Sequence, residues 1–340
     1  MKRIEFSGAP GSPYTRKMIA ALRYRHIPYS VFWGNGELPD GYPKPKVGLL
    51  PTFYFPDDED GGLIAVTDST PIIRRLENDY PERSIIPTDP VLKFLNELIE
   101  DYGDEWLTKV MFHYRWAFET DAKNAAPLLV YWATSTIPDD QAKQLAAGFS
   151  KRQIDRLYVV GSNEITAETI ESSYARLIKI LDELIQKKGF ILGGRPSSAD
   201  FAIYGQLTQI AVIEPTSAAI INRRSPRLRA WIDRMEDMSG WCPQDDAWFT
   251  AEEAVAALAP LLQEIGRTYA PAMIANAQAI MAGAETFETE IDGKTWTQPI
   301  FKYQAKCLSA LRSDHAGLSD NERGAVDSML AGSGCEALFA

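Results

Sequence analysis

The sequence predicts two unlike domains in tandem, a small α/β domain followed by a larger all-helical one, with residues 241–340 left over as an extension. Three observations carry this. The first 85 residues alternate short strand-like and helix-like runs, the pattern of an α/β unit rather than a bundle. Ile85-Ile86-Pro87-Thr88-Asp89-Pro90 then holds two prolines, which stop the preceding element and stiffen a linker. From Val91 onward, long stretches repeat apolar residues at three and four, the period of a helix buried on one face.

In the α/β part, Arg3 to Phe6 reads as a strand, and Gly8-Ala9-Pro10-Gly11-Ser12-Pro13 as a turn. Tyr14 to Arg25 carries Met18, Ile19 and Leu22 at helical spacing, and Tyr29 to Phe32 reads as a second strand, giving βαβ with a right-handed crossover. Thr52 to Phe55 and Leu63 to Val66 flank the acidic turn Asp57-Asp58-Glu59-Asp60-Gly61-Gly62, a hairpin, before helical periodicity returns over Ser69 to Tyr80. Helices are expected near Val91 to Phe118, Asp139 to Tyr158, Thr166 to Lys188, Ser198 to Val212 and Ser225 to Met238. In the extension, Ala251 to Ala282 reads as a helix open to breaks at Pro260 and Pro271. Phe287 to Thr297, centred on Asp292-Gly293, reads as a hairpin, and Phe301 to Arg312 as a final helix. The extension is expected to be a cover over the helical domain, a dimer arm or a partner-binding module.

The chain has 340 residues, 45% of them hydrophobic and 24% charged, enough to bury a substantial core. Its formal net charge of -11 excludes a phosphate-tracking surface, so no nucleic-acid partner is expected. The N-terminus, Met1-Lys2-Arg3-Ile4-Glu5-Phe6, runs straight into a short apolar segment, and no apolar run reaches bilayer-spanning length, so a cytoplasmic protein without a membrane partner is expected. Cys242, Cys307 and Cys335 are odd in number and widely spaced, as reduced thiols are. His26, His113 and His315 stand near no cysteine and in no ligand spacing, so no metal is expected.

Four segments in order, Ser12-Pro13-Tyr14-Thr15-Arg16-Lys17-Met18, Leu49-Leu50-Pro51-Thr52-Phe53, Asp68-Ser69-Thr70-Pro71 and Ser197-Ser198-Ala199-Asp200-Phe201, together resemble the glutathione S-transferase superfamily over roughly residues 1–240. Ser12-Pro13-Tyr14-Thr15-Arg16-Lys17-Met18 is similar to the turn and first helix of serine-type transferases. Leu49-Leu50-Pro51-Thr52-Phe53 is similar to the segment whose proline is cis in thioredoxin-like folds, where the preceding residue offers its backbone amide and carbonyl to a bound peptide. Asp68-Ser69-Thr70-Pro71 resembles the motif for the γ-glutamyl group, and a serine at a helix start suits a carboxylate while an aspartate suits an ammonium. Ser197-Ser198-Ala199-Asp200-Phe201 resembles the family's buried capping box. The pattern departs in one place: where a Gln or Lys often precedes the apolar-Pro pair to hold the glycine carboxylate, this chain has Leu49, with Lys44 and Lys46 a few residues earlier.

The resemblance implies a thioredoxin-like N-terminal domain over residues 1–85, an all-helical substrate domain over residues 91–240, glutathione as co-substrate, a homodimer and a role in detoxification. Leu50, Pro51, Asp68 and Ser69 would bind glutathione. A hydroxyl donor beside the sulfur favours the thiolate, and Ser12 is the candidate, with the phenol of Tyr14 as its rival. The absence of any cysteine before Cys242 disfavours disulfide exchange, leaving attack of the glutathione thiolate on a small hydrophobic electrophile, by conjugation or cleavage. Trp106, Phe112, His113, Tyr114 and Trp116 read either as an aryl-accepting pocket, with Trp106, His113 and Tyr114 lining it, or as core at helical spacing. Glu100, Asp101, Asp104 and Glu105 read as a solvated face. The competing function is a non-catalytic glutathione-transferase-like scaffold whose extension meets a partner.

Overall fold

Short apolar strands punctuated by Gly, Pro and Asp build the first layer of the computed structural model, which describes residues 3–34, 38–57, 61–244 and 247–340. Met1, Lys2 and the Asp58, Glu59 and Asp60 of the expected acidic turn lie outside the described residues. The layer runs β1 (Ile4–Gly8), α1 (Pro13–Tyr24), β2 (Tyr29–Trp33), β3 (Thr52–Pro56), β4 (Leu63–Thr67) and α2 (Ser69–Asp79). The strands form one mixed sheet in the order β2-β1-β3-β4, with β1 and β2 parallel and the other neighbours antiparallel. Register places Phe6 opposite Phe53, and their rings stack at 4.5 Å on the buried face.

The helical layer comprises α3 (Pro90–Glu105), α4 (Leu107–Ala117), α5 (Glu119–Ala133), α6 (Asp139–Ile154), α7 (Ala167–Lys188), α8 (Ser198–Thr208), α9 (Pro215–Arg224) and α10 (Pro226–Met235). The stretch expected as one helix from Val91 to Phe118 is broken at Trp106, whose buried indole donates to Ser173 Oγ at 3.1 Å. Neither α5, which contains Pro127, nor α9 was anticipated. The capping box at α8 is formed as expected: Ser197 accepts from the Asp200 amide and Asp200 accepts from the Ser197 amide. Beside it, α8 crosses α1 at Gly205, where an added Cβ would lie 2.5 Å from Pro13 O and 3.1 Å from Lys17 Cβ. Only glycine allows that approach.

The extension contains α11 (Ala251–Met281), β5 (Thr286–Ile291), β6 (Lys294–Pro299), α12 (Lys302–Gly317) and α13 (Asp320–Leu330). Instead of breaking, α11 runs through Pro260 and Pro271, because its apolar face is buried against α3, α7 and β5. Such burial outweighs the roughly 3 kcal/mol that an interior proline costs. Asp292 and Gly293 turn the hairpin with φ of 55° and 71°, the left-handed pair that suits a tight β-turn. Trp296 on β6 packs against Trp106, their rings 5.3 Å apart and tilted by 39°, so the hairpin is rooted in the helical core, and one continuous apolar core runs from Ile4 to Leu338. The extension is therefore a cover packed on its own chain. No helix among the described residues is long and apolar enough to cross a membrane.

Candidate functional site

The turn between β1 and α1 is set by its own hydrogen bonds. Ser12 caps α1: its Oγ accepts from the Thr15 amide at 3.2 Å and donates to the Leu50 carbonyl at 3.2 Å. That carbonyl belongs to the Leu50–Pro51 peptide, which is cis as the resemblance implied. Buried Arg115 holds the turn from α4 by donating to Gly11 O at 3.0 Å, and Gln209 donates to Pro10 O at 3.2 Å. Gly11 is roofed by α5: an added Cβ would stand 2.3 Å from Leu129 Cδ2 and 3.0 Å from Trp132 Cε3, side chains that are themselves only half-buried.

At the start of α2, Asp68 takes φ of 83°, uncommon for a residue with a side chain, and caps the helix by accepting from the Thr70 amide at 3.2 Å. Beneath it lies Lys17, fully buried, donating to Ser69 Oγ at 3.1 Å, Glu100 Oε1 at 2.8 Å and Asp104 Oδ2 at 2.6 Å. An ammonium has three donors and no acceptor, so all three are committed. The Ser69 oxygen thereby accepts from Lys17, and its own proton is left to point at an acceptor elsewhere. Burial works against the charge on Lys17, but Asp104 and Glu100 outweigh it and hold the ammonium above its ordinary value. Burial would likewise raise Glu100, yet Lys17 and Arg74 bring it down to about 2, whereas burial prevails at Asp104, pushed up to about 6.

The far side of this site is closed by α3 and α12. Burial, reinforced by Asp101, pushes the Glu105 carboxyl up to about 8, so at neutral pH it holds its proton. Asp101 rises to about 7 through burial, even though it accepts a hydrogen bond from the Tyr269 hydroxyl. From α12, the Tyr303 hydroxyl donates to Asp68 Oδ2.

With this geometry in place, comparison with known families is decisive. Residues 6–84 match the model of the glutathione S-transferase N-terminal domain, and residues 154–234 match that of the glutathione S-transferase C-terminal domain. The chain belongs to the glutathione S-transferase superfamily. Among solved structures it is similar to a tau class glutathione S-transferase from mango, Mangifera indica, at 18% identity, 75% of this chain, 97% of that one and a TM-score of 0.42. It is also similar to a beta-etherase from Sphingobium sp. at 17% identity, 69% of this chain, 95% of that one and a TM-score of 0.48. A glutathione S-transferase from Methylobacterium radiotolerans, in complex with glutathione sulfonate, shares 18% identity over 67% of this chain and 92% of that one, with a TM-score of 0.34. No curated protein matches the sequence.

In this glutathione S-transferase chain, the residues expected at the site divide sharply. Ser12, Leu50 and Pro51 meet at one turn, and Asp68 and Ser69 stand together at the start of α2. Tyr14 is not free to serve a sulfur: its single proton goes to the Asp104 carbonyl at 2.8 Å, while its oxygen lies 2.7 Å from Thr108 Oγ1. The pocket reading of Trp106, His113 and Tyr114 gives way to the core reading. They are 0%, 3% and 1% exposed, with His113 Nδ1 2.8 Å from Ser162 Oγ and Tyr114 packed on Phe118 and Tyr174. The solvated face expected of Glu100, Asp104 and Glu105 is buried too, because α12 lies over α3 and Lys17 reaches it from below. Lys17, Leu129, Trp132 and Tyr303 escaped the sequence reading. Lys17 sits among helical apolar residues and its carboxylate partners are 83 and 87 residues away, so no local pattern marks it.

Proposed function

We propose that the chain binds glutathione along Ser12, Leu50-Pro51 and Asp68-Ser69, and activates its thiol for attack on a small hydrophobic electrophile by conjugation or glutathione-dependent cleavage. The observation that carries this reading is the polar pair at the start of α2. Lys17 fixes Ser69 as a donor, and the α2 N-terminus adds amide donors suited to a carboxylate, while Asp68 offers an acceptor to an ammonium. A carboxylate and an ammonium on one carbon are the γ-glutamyl end of glutathione.

At the other end, the Ser12 hydroxyl turns from the Leu50 carbonyl to the glutathione sulfur and stabilises the thiolate, aided by the N-terminus of the 12-residue α1. The thiolate then attacks an electrophilic carbon held against Leu129 and Trp132, forming the carbon–sulfur bond as the leaving group departs or, in an addition, as the carbon chain takes the electron pair. Detoxification, a cytoplasmic location and a homodimer belong to this reading. A dimer contact has to avoid the faces of α3 and α7 that α11 already covers.

Calorimetric titration with glutathione, followed by a panel of aryl halides, epoxides and aryl ethers, tests the proposal; no heat removes it. Ser12→Ala is expected to lower turnover by about 10²-fold, the scale of losing one preorganised donor, while Ser12→Thr retains most activity. Unchanged turnover in Ser12→Ala takes Ser12 out of the mechanism. One observation favours the non-catalytic alternative: the Ser12 proton is already engaged by Leu50. Glutathione binding without turnover on any substrate would establish that alternative.

A further inference from the structure

Tyr303 stands on α12, more than 230 positions from Asp68 in sequence, yet its hydroxyl donates to the Asp68 carboxylate. A phenol has one proton. Once that proton is given to Asp68, the phenolic oxygen presents lone pairs only, beside a carboxylate that also presents lone pairs. The outer edge of the site therefore offers two adjacent acceptors and, next to them, the donor Ser69. Burial and the Asp68 carboxylate keep the Tyr303 hydroxyl protonated, so it continues to donate. At 37% exposure its ring remains within reach of a ligand.

The beginning of α12 is held firmly. Fully buried Asn276 on α11 accepts from the Phe301 amide at 2.8 Å and donates to the Phe301 carbonyl at 3.0 Å, pinning the chain two residues before Tyr303. The rings of Phe301 and Tyr303 lie 6.4 Å apart. Tyr303 is thus a fixed wall of the site rather than a strap that must swing away before a ligand enters.

We propose that Tyr303 completes the γ-glutamyl end of the site, its phenolic oxygen joining Asp68 in accepting from the ligand's α-ammonium, so that the C-terminal extension sets selectivity for ligands carrying a free amino group. This rests on the reading of Asp68-Ser69 as the γ-glutamyl site. The test is calorimetry on the full chain, wild type and Tyr303→Phe, with glutathione and with its deaminated analogue glutaryl-cysteinyl-glycine. Tyr303→Phe is expected to weaken glutathione about tenfold, the scale of one hydrogen bond to a charged group, and to leave the analogue unchanged. Because the analogue is titrated into the same protein, it reports whether the variant is folded. Equal losses for both ligands would mean a structural role, and tighter glutathione binding would mean that Tyr303 blocks the site; each overturns the proposal, as does an unchanged affinity. Wild type that binds neither ligand instead overturns the glutathione reading itself.

Discussion

Replacing Lys17 with methionine isolates the contact on which both halves of the molecule depend. The substitution keeps the length and apolar stem of the side chain but removes an ammonium from between Glu100 and Asp104, where side-chain exposure is 1% for Lys17 and Glu100 and 8% for Asp104. Removing one partner of a buried ion pair costs about 3–5 kcal/mol, since the remaining charge has neither water nor a counter-ion. Arg74 still reaches Glu100 Oε2 at 3.0 Å, which places the expected loss near the lower end. The loss also depends on pH. Glu100 is depressed from 4.5 to about 2 in the native protein, so its contribution is present above pH 4.5 and disappears as pH falls toward 2. The gap between wild type and Lys17→Met therefore narrows as pH falls, first through about 6, where Asp104 loses its charge, and then from 4.5 toward 2 as Glu100 does. Urea denaturation at pH 7 and pH 4 measures it, and the triple variant Lys17→Met, Glu100→Gln, Asp104→Asn should recover most of the loss at pH 7. A loss below about 1 kcal/mol at pH 7, or no recovery in the triple variant, would refute the account of this network.

Two further outcomes follow from the same structure. Burial raises Glu105 to about 8 from 4.5 and Asp101 to about 7 from 3.8, so the folded chain keeps protons that the unfolded chain releases. Their contribution is complete below about pH 4 and is lost as pH rises toward 8; Glu105→Gln should raise the melting temperature at pH 9 by about 2–4 °C and flatten its fall between pH 6 and 9, as read by scanning calorimetry. Sedimentation equilibrium decides the homodimer: the expected species is twice the 37.9 kDa chain, and a single-chain mass across the micromolar range excludes it.

The α/β layer was legible nearly residue by residue because each strand is an apolar run closed by Gly, Pro or Asp. Its two helices begin at side chains that cap them, Ser12 and Asp68, and in the helical layer the Ser197–Asp200 capping box was visible in the sequence as such. Asp292-Gly293 marked its hairpin for the same local reason. What escaped was long-range. A proline at position 127, 260 or 271 signals a break, but burial on neighbouring helices overrides it. The acids on α3 alternate with Leu98, Ile99 and Tyr102, so they look like the wet side of an amphipathic helix. In the fold Glu100, Asp104 and Glu105 are buried where α8, α11 and α12 pack on α3, while Lys93 stays exposed, and Lys17 neutralises what would otherwise be an untenable interior. The site itself was half legible: the motifs placed Ser12, Leu50-Pro51 and Asp68-Ser69, while the residues that tune them come from α1, α5 and α12 with no signature in their own neighbourhoods.

Because α12 is anchored through Asn276 on the same polypeptide, the wall carrying Tyr303 is present at unit effective stoichiometry in every molecule. A wall lent by a second subunit would depart on dilution, and ligand affinity would then track protein concentration. Here the Tyr303–Asp68 contact lies within one chain, so it is kept at nanomolar protein, whatever the chain's assembly state.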